Sequence, residues 1–313
     1  MSHILSALFA LALAVMYVTT VKYKVHTGGY VVISGASTGI GRHAAEHLSN
    51  NGFDVLAGVR KQSDFDKIIA LDYPKLQPIF LDVSKHDSVV KAMDAVKSLV
   101  ATSGLPLIAI VNNAGVSRRG VIEFHDLDDA RTVFETNVFG MMDLTQMSLP
   151  LLRESQGRIV MISSIMGLTA APLSGVYAGS KFAMEGMSDS LRREVAPFNI
   201  SISVVEPAYV QSNIFEKSPT KSETAVHTTT ASSEVIELYP ELHNDNAAAK
   251  RGKTVTRASP PTVTSEAIFD AITSSTPKTR YVVANVSGTP AWIIALLVAY
   301  APDRLADFLF KYF

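Results

Sequence analysis

The 313-residue sequence contains no cysteine. This absence excludes disulfide scaffolds, thiolate metal sites and cysteine nucleophiles, and nothing in the composition requires an oxidising compartment. Charge is also scarce, since charged residues make up 18% of the chain and the formal net charge is −1. Without a basic patch, nucleic acid is a poor candidate partner. The HExxH and EF-hand spacings and clustered histidines are missing too, so we expect no metal site.

Apolar residues are plentiful instead, at 47% of the sequence. The length suits one large α/β domain or two small ones, and the apolar fraction slightly favours a membrane-associated protein. Residues 4–21 form an uncharged, mostly apolar run of eighteen residues with Lys22 and Lys24 directly after it. This length is near the lower limit for a bilayer span, and the lysines place the remainder in the cytosol. We therefore expect an uncleaved anchor over residues 1–24, with a cleaved signal peptide or a core or interfacial helix as alternatives.

A glycine-rich turn follows the first predicted strand, residues 30–34. Gly35, Gly39 and Gly41 form this turn, which opens a predicted helix over residues 42–50. Backbone amides can approach a phosphate closely at such a turn, and the start of a helix adds partial positive charge. The pattern predicts a nucleotide-phosphate site, although a tight turn without a ligand is the alternative.

A second candidate site lies at the end of a buried strand predicted over residues 158–162. The helix after that strand carries Tyr177 and, four residues later, Lys181, so both side chains lie on one helix face. An adjacent ammonium lowers the pKa of a phenol from its ordinary value of roughly 10, which would make Tyr177 a general acid/base. Ser164 could bond the substrate oxygen whose charge changes. The alternative is a surface turn without chemistry.

The glycine spacing GxxxGxG, together with Ser164, Tyr177 and Lys181, resembles the short-chain dehydrogenase/reductase family over residues 30–212. The serine stands thirteen residues before the tyrosine, as in the family, which favours Ser164 over Ser163. The resemblance implies an α/β fold with a single doubly wound parallel sheet of the Rossmann type. It also implies hydride exchange between a nicotinamide cofactor and a carbinol or carbonyl carbon.

Further segments match motifs of the family. An aspartate such as Asp82, after the third predicted strand, bonds the adenine ring in the family, and the NNAG sequence of residues 112–115 lines the cofactor site. Asn137 matches an asparagine that holds a water beside the catalytic lysine. The implied catalytic residues are Ser164, Tyr177, Lys181 and Asn137. The residues expected to bind the cofactor are Gly35, Ser37, Thr38, Gly39, Ile40, Gly41, Arg60, Asp82, Val83, Asn113, Ala114, Gly115, Tyr177, Lys181, Pro207, Val210 and Ser212.

The residues after the second predicted strand favour one dinucleotide over the other. Arg60 and Lys61 occur there, and no acidic residue precedes Asp64. An acid would bond a free ribose hydroxyl and favour NAD, whereas an arginine accommodates a 2′-phosphate. We therefore predict NADP as the cofactor, with NAD as the alternative.

The carboxyl third of the chain divides into a polar and an apolar part. Residues 216–264 are rich in Ser, Thr, Lys, Glu and Pro and cannot order themselves alone. In the family this region covers the substrate, so we predict a C-terminal substrate lid with a short helix over residues 234–242. The lid would belong to a catalytic domain over residues 28–289. Residues 290–313 form a hydrophobic segment, either a core helix or an interfacial helix that dips into the membrane.

Short segments such as GVRK, VFETNVFG and YAGSKFAMEG are most similar to membrane-bound retinol and hydroxysteroid dehydrogenases. This similarity implies a lipophilic substrate: a retinoid, a steroid or a long-chain lipid. It also implies a membrane-bound protein of the endoplasmic reticulum or lipid droplets, with the catalytic domain in the cytosol, and allows a homo-oligomer. The alternatives are a catalytically silent redox sensor or scaffold at a membrane, and a sugar-nucleotide epimerase. The glycine spacing does not fit the epimerase.

Overall fold

The computed structural model describes residue 6 and residues 21–211, 237–240 and 257–312, and the structural statements below concern these residues. Three of the sequence predictions fall wholly or mostly outside them: the anchor over residues 1–24, Ser212, and the lid over residues 216–264.

Within the described residues, seven parallel strands form one sheet in the order β3-β2-β1-β4-β5-β6-β7. The strands are β1 Tyr30–Ile33, β2 Asp54–Val59, β3 Leu76–Phe80, β4 Leu107–Asn112, β5 Arg158–Ile162, β6 Ser201–Pro207 and β7 Arg280–Val283. Most are rich in valine, isoleucine and leucine because both faces of a parallel sheet are covered. A short hairpin, β8 Asn285–Val286 and β9 Thr289–Pro290, follows.

Helices cover both faces of the sheet. The described helices are α1 Gly39–Asn50, α2 Gln62–Ile69, α3 His86–Ser103, α4 Leu127–Phe134, α5 Gly140–Ser155, α6 Gly175–Glu194, α7 Thr262–Thr273, α8 Ala291–Tyr300 and α9 Asp303–Tyr312. Side chains alternate along β1, so Val31 and Ile33 pack with α1, α2 and α7, while Val32 packs with α3, α5 and α6. This arrangement confirms the predicted doubly wound α/β fold.

The order in which successive strands are added to the sheet reverses between β1 and β4. Strands β1 to β3 extend one way from this point and β4 to β7 the other way. In open parallel sheets, ligands bind at the carboxyl ends of the strands beside such a switch. The turns after β1, β4, β5 and β6 therefore meet at one edge, which we call the carboxyl edge.

The predicted element boundaries are close to the observed ones. Strand β5 has the predicted limits, whereas α1 begins at Gly39, three residues before the predicted start at Arg42. No helix within residues 21–211, 237–240 and 257–312 has both the length and the apolar character needed to cross a bilayer.

The segment that precedes β1 is bound at the opposite, amino edge of the sheet. The backbone N–H of Tyr23 donates to the carbonyl of Ser275 at 2.9 Å. Nη2 of Arg158, at the start of β5, donates to the carbonyls of Lys24 at 2.7 Å and Ser274 at 3.0 Å. Burial lowers the pKa of the Arg158 guanidinium to about 10, so it stays charged at neutral pH. The chain thus approaches the sheet along the edge away from the site.

Candidate active site

Glycines shape the turn after β1. Gly35 and Gly39 have φ angles of +66° and +59°, in the left-handed region that favours glycine. A Cβ at Gly41 would lie 2.3 Å from Nδ2 of Asn113 and 2.6 Å from the carbonyl oxygen of Gly35. The first turn of α1 contains no acidic residue. An anionic group placed here would meet backbone amides and the positive end of the helix dipole.

Ser34 and Asn113 join this turn to the NNAG turn. The backbone amides of Asn113 and Ala114 donate to Oγ of Ser34 at 3.1 Å and 3.0 Å. Nδ2 of Asn113 donates to the carbonyls of Ser34 at 2.9 Å and Gly35 at 3.1 Å. Ser34 was not predicted as a site residue, although a serine that ends an apolar strand before a glycine turn is a usable signal. These bonds fix the spacing between the glycine turn after β1 and the NNAG turn after β4.

A cleft of about 660 Å³ opens at the carboxyl edge. Its volume lies within the range of small-molecule sites, about 300–1,000 Å³. The cleft brings together nearly all of the predicted site residues, although Asn137 does not line it. Those lining it are Gly35, Ser37, Thr38, Gly39, Ile40, Gly41, Arg60, Asp82, Val83, Asn113, Ala114, Gly115, Ser164, Tyr177, Lys181, Pro207 and Val210.

Ser164, Tyr177 and Lys181 meet in this cleft. The Ser164 side chain follows β5 and lies beside the Tyr177 phenol, and its Oγ donates to the carbonyl of Pro207 at 3.4 Å. Its Oγ also accepts from the backbone N–H of Met166 at 3.2 Å. Nζ of Lys181 lies 5.7 Å from the centre of the Tyr177 ring and donates to the carbonyl of Ile162 at 2.7 Å. Two hydroxyls and an ammonium thus converge beside the glycine turn.

The predicted lowering of the Tyr177 pKa is wrong for this structure. Burial raises the pKa of the phenol to about 12, against a smaller lowering by the neighbouring Ser164 hydroxyl. Burial lowers the pKa of the Lys181 ammonium to about 8, although the negative charge of Glu185 opposes this change. Desolvation therefore outweighs the effect of Ser164 on the Tyr177 pKa and that of Glu185 on the Lys181 pKa. At neutral pH the phenol holds its proton and the ammonium is still mostly charged.

Asn137 lies beneath the cleft and is fully buried. It sits in a π-helical turn, Glu135–Phe139, between α4 and α5. Its Oδ1 accepts from the backbone N–H of Val116 at 2.8 Å, and its Nδ2 donates to the carbonyl of Val116 at 2.9 Å and to Oγ of Ser180 at 3.0 Å. The side chain therefore joins the loop after the NNAG turn to α6. A water held beside Lys181 stays a prediction.

Three arginines that were not predicted as site residues also line the cleft. They are Arg118, Arg119 and Arg131. Nε of Arg118 lies 3.1 Å from a carboxylate oxygen of Asp129 on α4. For Arg118 and Arg119 the signal in the sequence is the Ser-Arg-Arg run that begins two residues after the NNAG turn.

Helix α8 packs beside the turn that follows Ser164. Ala291 and Ala295 on this helix form a small apolar cluster with Ile165, and Met166 and Ala208 pack against it. Ile165, Met166 and Ala208 also line the cleft. One wall of the site is therefore apolar and is supported by the hydrophobic carboxyl segment.

Comparisons with known proteins agree with this geometry. A family model described as short chain dehydrogenase matches residues 29–223. Retinol dehydrogenase 16 of Mus musculus is 32% identical over 280 residues, covering 89% of this chain and 86% of that protein. The 17-beta-hydroxysteroid dehydrogenase type 6 of Bos taurus is 32% identical over 289 residues, covering 90% and 87%. The crystal structure of a short chain dehydrogenase from Burkholderia cenocepacia in complex with NADP is 22% identical, with a TM-score of 0.67, and covers 90% of this chain and 97% of that one. The chain therefore belongs to the short-chain dehydrogenase family and is an NAD(P)-dependent dehydrogenase or reductase.

Proposed function

We propose that the protein is an NADP(H)-dependent oxidoreductase that interconverts an alcohol and a ketone or aldehyde on a lipophilic substrate. One observation carries the proposal: Ser164, Tyr177 and Lys181 meet in the same cleft as the glycine turn after β1. The residues present fit a dinucleotide, because Gly41 leaves no space for a side chain and the start of α1 suits a phosphate.

Each residue of the trio has a distinct part in this proposal. NADPH bound in the cleft would supply the hydride. Tyr177 holds its proton at neutral pH and donates it to the carbonyl oxygen of the substrate. The Ser164 hydroxyl, which lines the same cleft, holds the same oxygen. The Lys181 ammonium offsets the negative charge left on the phenol. A protonated acid in the resting site favours reduction over oxidation.

Arg60 supports the choice of NADP. It lies directly after β2, is exposed and lines the cleft, whereas Asp64 lies in α2 and does not line it. An Arg60→Ala variant should lose affinity for NADPH by about tenfold or more, because a charge-assisted bond to the 2′-phosphate is removed. NADH affinity should change little. Isothermal titration with both cofactors checks this, with Lys61→Ala as the neighbouring control. Equal losses for the two cofactors would contradict the prediction.

The apolar wall formed with α8 supports a lipophilic substrate, in line with the retinol and hydroxysteroid dehydrogenases among the relatives. The direct test is NADPH oxidation by the purified protein over a panel of retinals, steroid ketones and long-chain keto-lipids. Turnover of at least one apolar carbonyl is expected. Cofactor binding without turnover anywhere on the panel would instead favour the catalytically silent sensor or scaffold.

Two contacts of Tyr239, a residue within the predicted lid, support the lid. The phenol of Tyr239 donates to a carboxylate oxygen of Glu123 at 2.5 Å, and its ring meets Phe124 edge to face at 6.5 Å. Ile122 of the same short turn lies against Gly175, where α6 begins. We therefore propose that residues 216–264 cover the substrate beside the tyrosine-bearing helix. A substrate-bound structure with Tyr239 remote from the substrate would contradict this.

We further propose that α8 and α9 rest on a membrane while the N-terminal segment anchors the chain there, on the endoplasmic reticulum or lipid droplets with the catalytic domain in the cytosol. Apolar side chains of these two helices are exposed: Trp292, Leu296, Leu297, Tyr300, Leu305 and Phe308. An interfacial helix buries such a face at the headgroup boundary, beside the apolar wall of the cleft. A lipophilic substrate would then enter from the bilayer.

The single tryptophan makes this surface directly observable. Trp292 is 58% exposed on α8. In phosphatidylcholine vesicles we expect its emission to shift to the blue, brominated acyl chains to quench it, and aqueous iodide to quench it weakly. Leu296→Glu, on the same helix face, should restore iodide quenching, whereas Leu105→Glu at another exposed position should not. Strong iodide quenching of the wild type in vesicles would contradict membrane contact by α8.

We also propose a homo-oligomer, because apolar side chains are exposed on neighbouring elements. Phe139, Met142 and Phe182 are exposed on the π-helical turn and on α5 and α6. Apolar side chains gathered on neighbouring elements suit an interface between copies. Sedimentation of the detergent-solubilised protein tests this, and a monomer would contradict it.

A further inference from the structure

A buried group of charges adjoins the catalytic helix without lining the cleft. Arg280, at the start of β7, bonds three carboxylates. Its Nη1 donates to Glu185 of α6 and to Oε1 of Glu206 of β6 at 2.9 Å, and its Nη2 donates to Asp189 of α6 at 3.0 Å. Glu206 is 0% exposed and Glu185 is 6% exposed. Two buried carboxylates therefore share one guanidinium.

Glu185 and Glu206 are joined to the elements that carry the catalytic residues. Glu185 follows Lys181 by one turn on the buried face of α6. Oε1 of Glu185 lies 3.1 Å from the place that a Cβ of Gly167 would take, so this glycine makes room for the carboxylate in the turn after Ser164. Glu206 directly precedes Pro207, whose carbonyl accepts from Oγ of Ser164 at 3.4 Å.

Lys181 needs a counter-charge because it is almost fully buried, at 3% exposed. A buried ammonium is costly unless it is paired and hydrogen-bonded. Its hydrogen bond to the carbonyl of Ile162 supplies a dipole but no charge. The carboxylate of Glu185 is the charge that raises the pKa of Lys181 against burial, and its Oε1 has no hydrogen-bond partner among the described residues. Arg280 therefore orients Glu185 through the other oxygen.

We propose that Glu185 is a positioning residue that keeps Lys181 charged, and that Arg280, which is itself bonded to Glu206 and Asp189, holds the Glu185 carboxylate in place for this task. The inference rests on the proposed function, because Lys181 serves the proton transfer through Tyr177. Neither Glu185, Glu206 nor Arg280 lines the cleft. Glu185 therefore acts through Lys181 and sets the upper pH limit of turnover.

Other charged side chains also lie around Glu185. On α6 they are Lys181, Asp189 and Arg192, and Nη2 of Arg192 donates to Asp189 at 2.7 Å. From the sheet they are Arg280 and Glu206. Glu135, on the π-helical turn that packs against α6, faces the cleft. Burial and the charge of Glu185 raise the pKa of Glu206 to about 7, so Glu206 is ready to take a proton as the pH falls.

The test is the pH profile of NADPH-dependent turnover for the full chain and a Glu185→Gln variant. Removal of the carboxylate lowers the pKa of Lys181, so the decline of kcat at high pH should move down by about one pH unit. In mildly acidic buffer, where Lys181 is charged in both proteins, kcat should be similar. The matched control is Glu194→Gln, at an exposed position on the same helix, which should leave the profile unchanged.

Two further measurements keep the test decisive. Glu185→Asp keeps the charge but shortens the side chain, so its pH profile should lie between those of the wild type and Glu185→Gln. If the Glu185→Gln variant does not fold, Glu185→Asp takes its place in the test. The pH dependence of NADPH binding, followed by fluorescence, should shift in the same direction without need of turnover. A Glu185→Gln profile that superimposes on the wild type would overturn the inference. Absence of wild-type turnover on every substrate would overturn the proposed function instead, while the binding curves still test Glu185.

Discussion

Replacement of Tyr177 by phenylalanine is expected to reduce turnover of a carbonyl substrate by about 10²- to 10⁴-fold, the usual contribution of a positioned acid/base. Phenylalanine keeps the ring whose centre lies 5.7 Å from Nζ of Lys181 but lacks the phenol oxygen. No proton donor then faces the substrate oxygen. NADPH affinity should stay close to that of the wild type, because the glycine turn and Arg60 are untouched.

Single-turnover kinetics with NADPH and the best substrate of the panel would measure the loss directly. Tyr73→Phe is the matched control, since Tyr73 packs at the edge of the core and does not line the cleft. It should leave turnover unchanged. A Tyr177→Phe variant with wild-type activity would show that another group supplies the proton.

Gly41→Ala is expected to have the second large effect, a loss of cofactor affinity together with a less stable fold. The added Cβ would lie 2.6 Å from the carbonyl oxygen of Gly35 and 2.3 Å from Nδ2 of Asn113. The backbone of the turn must shift, and the Asn113 bonds to Ser34 and Gly35 with it. Overpacking of this kind destabilises a protein by about 1–3 kcal/mol. Chemical denaturation and NADPH titration measure the two losses.

Gly186→Ala provides a control of identical chemistry. Gly186 also lies in a helix, α6, but a Cβ there would meet nothing within 4 Å. Alanine should therefore stabilise the protein by about 0.5–1 kcal/mol, the ordinary gain at an unstrained helical position. Equal behaviour of the two alanine variants would show that the turn at Gly41 tolerates a side chain.

Much of the fold and of the cofactor site was predictable because the signals are local. Strand β5 is an apolar run whose ends are marked by Gly157 and the serine pair, and its predicted limits agree with the structure. The four-residue spacing of Tyr177 and Lys181 likewise needs only helical geometry. Short-range patterns of this kind predict local structure without knowledge of the tertiary contacts.

The rest depends on contacts between residues far apart in sequence. The direction of the Tyr177 pKa follows from burial, which a sequence motif does not report. Asn137 matched the expected motif, yet its side-chain bonds go to Val116 and Ser180, and its turn is π-helical. The bond between Arg280 and Glu185 joins residues 95 positions apart. Such pairs become visible only once the sheet order is known.

The attachment of the chain before β1 matters for anyone who wishes to label or immobilise this enzyme. Arg158 donates a hydrogen bond to the backbone carbonyl of Lys24, at the opposite edge of the sheet from Ser164, Tyr177 and Lys181. A fluorophore attached at Tyr23 or Lys24 would therefore lie at the amino edge of the sheet and leave the cleft open to substrate.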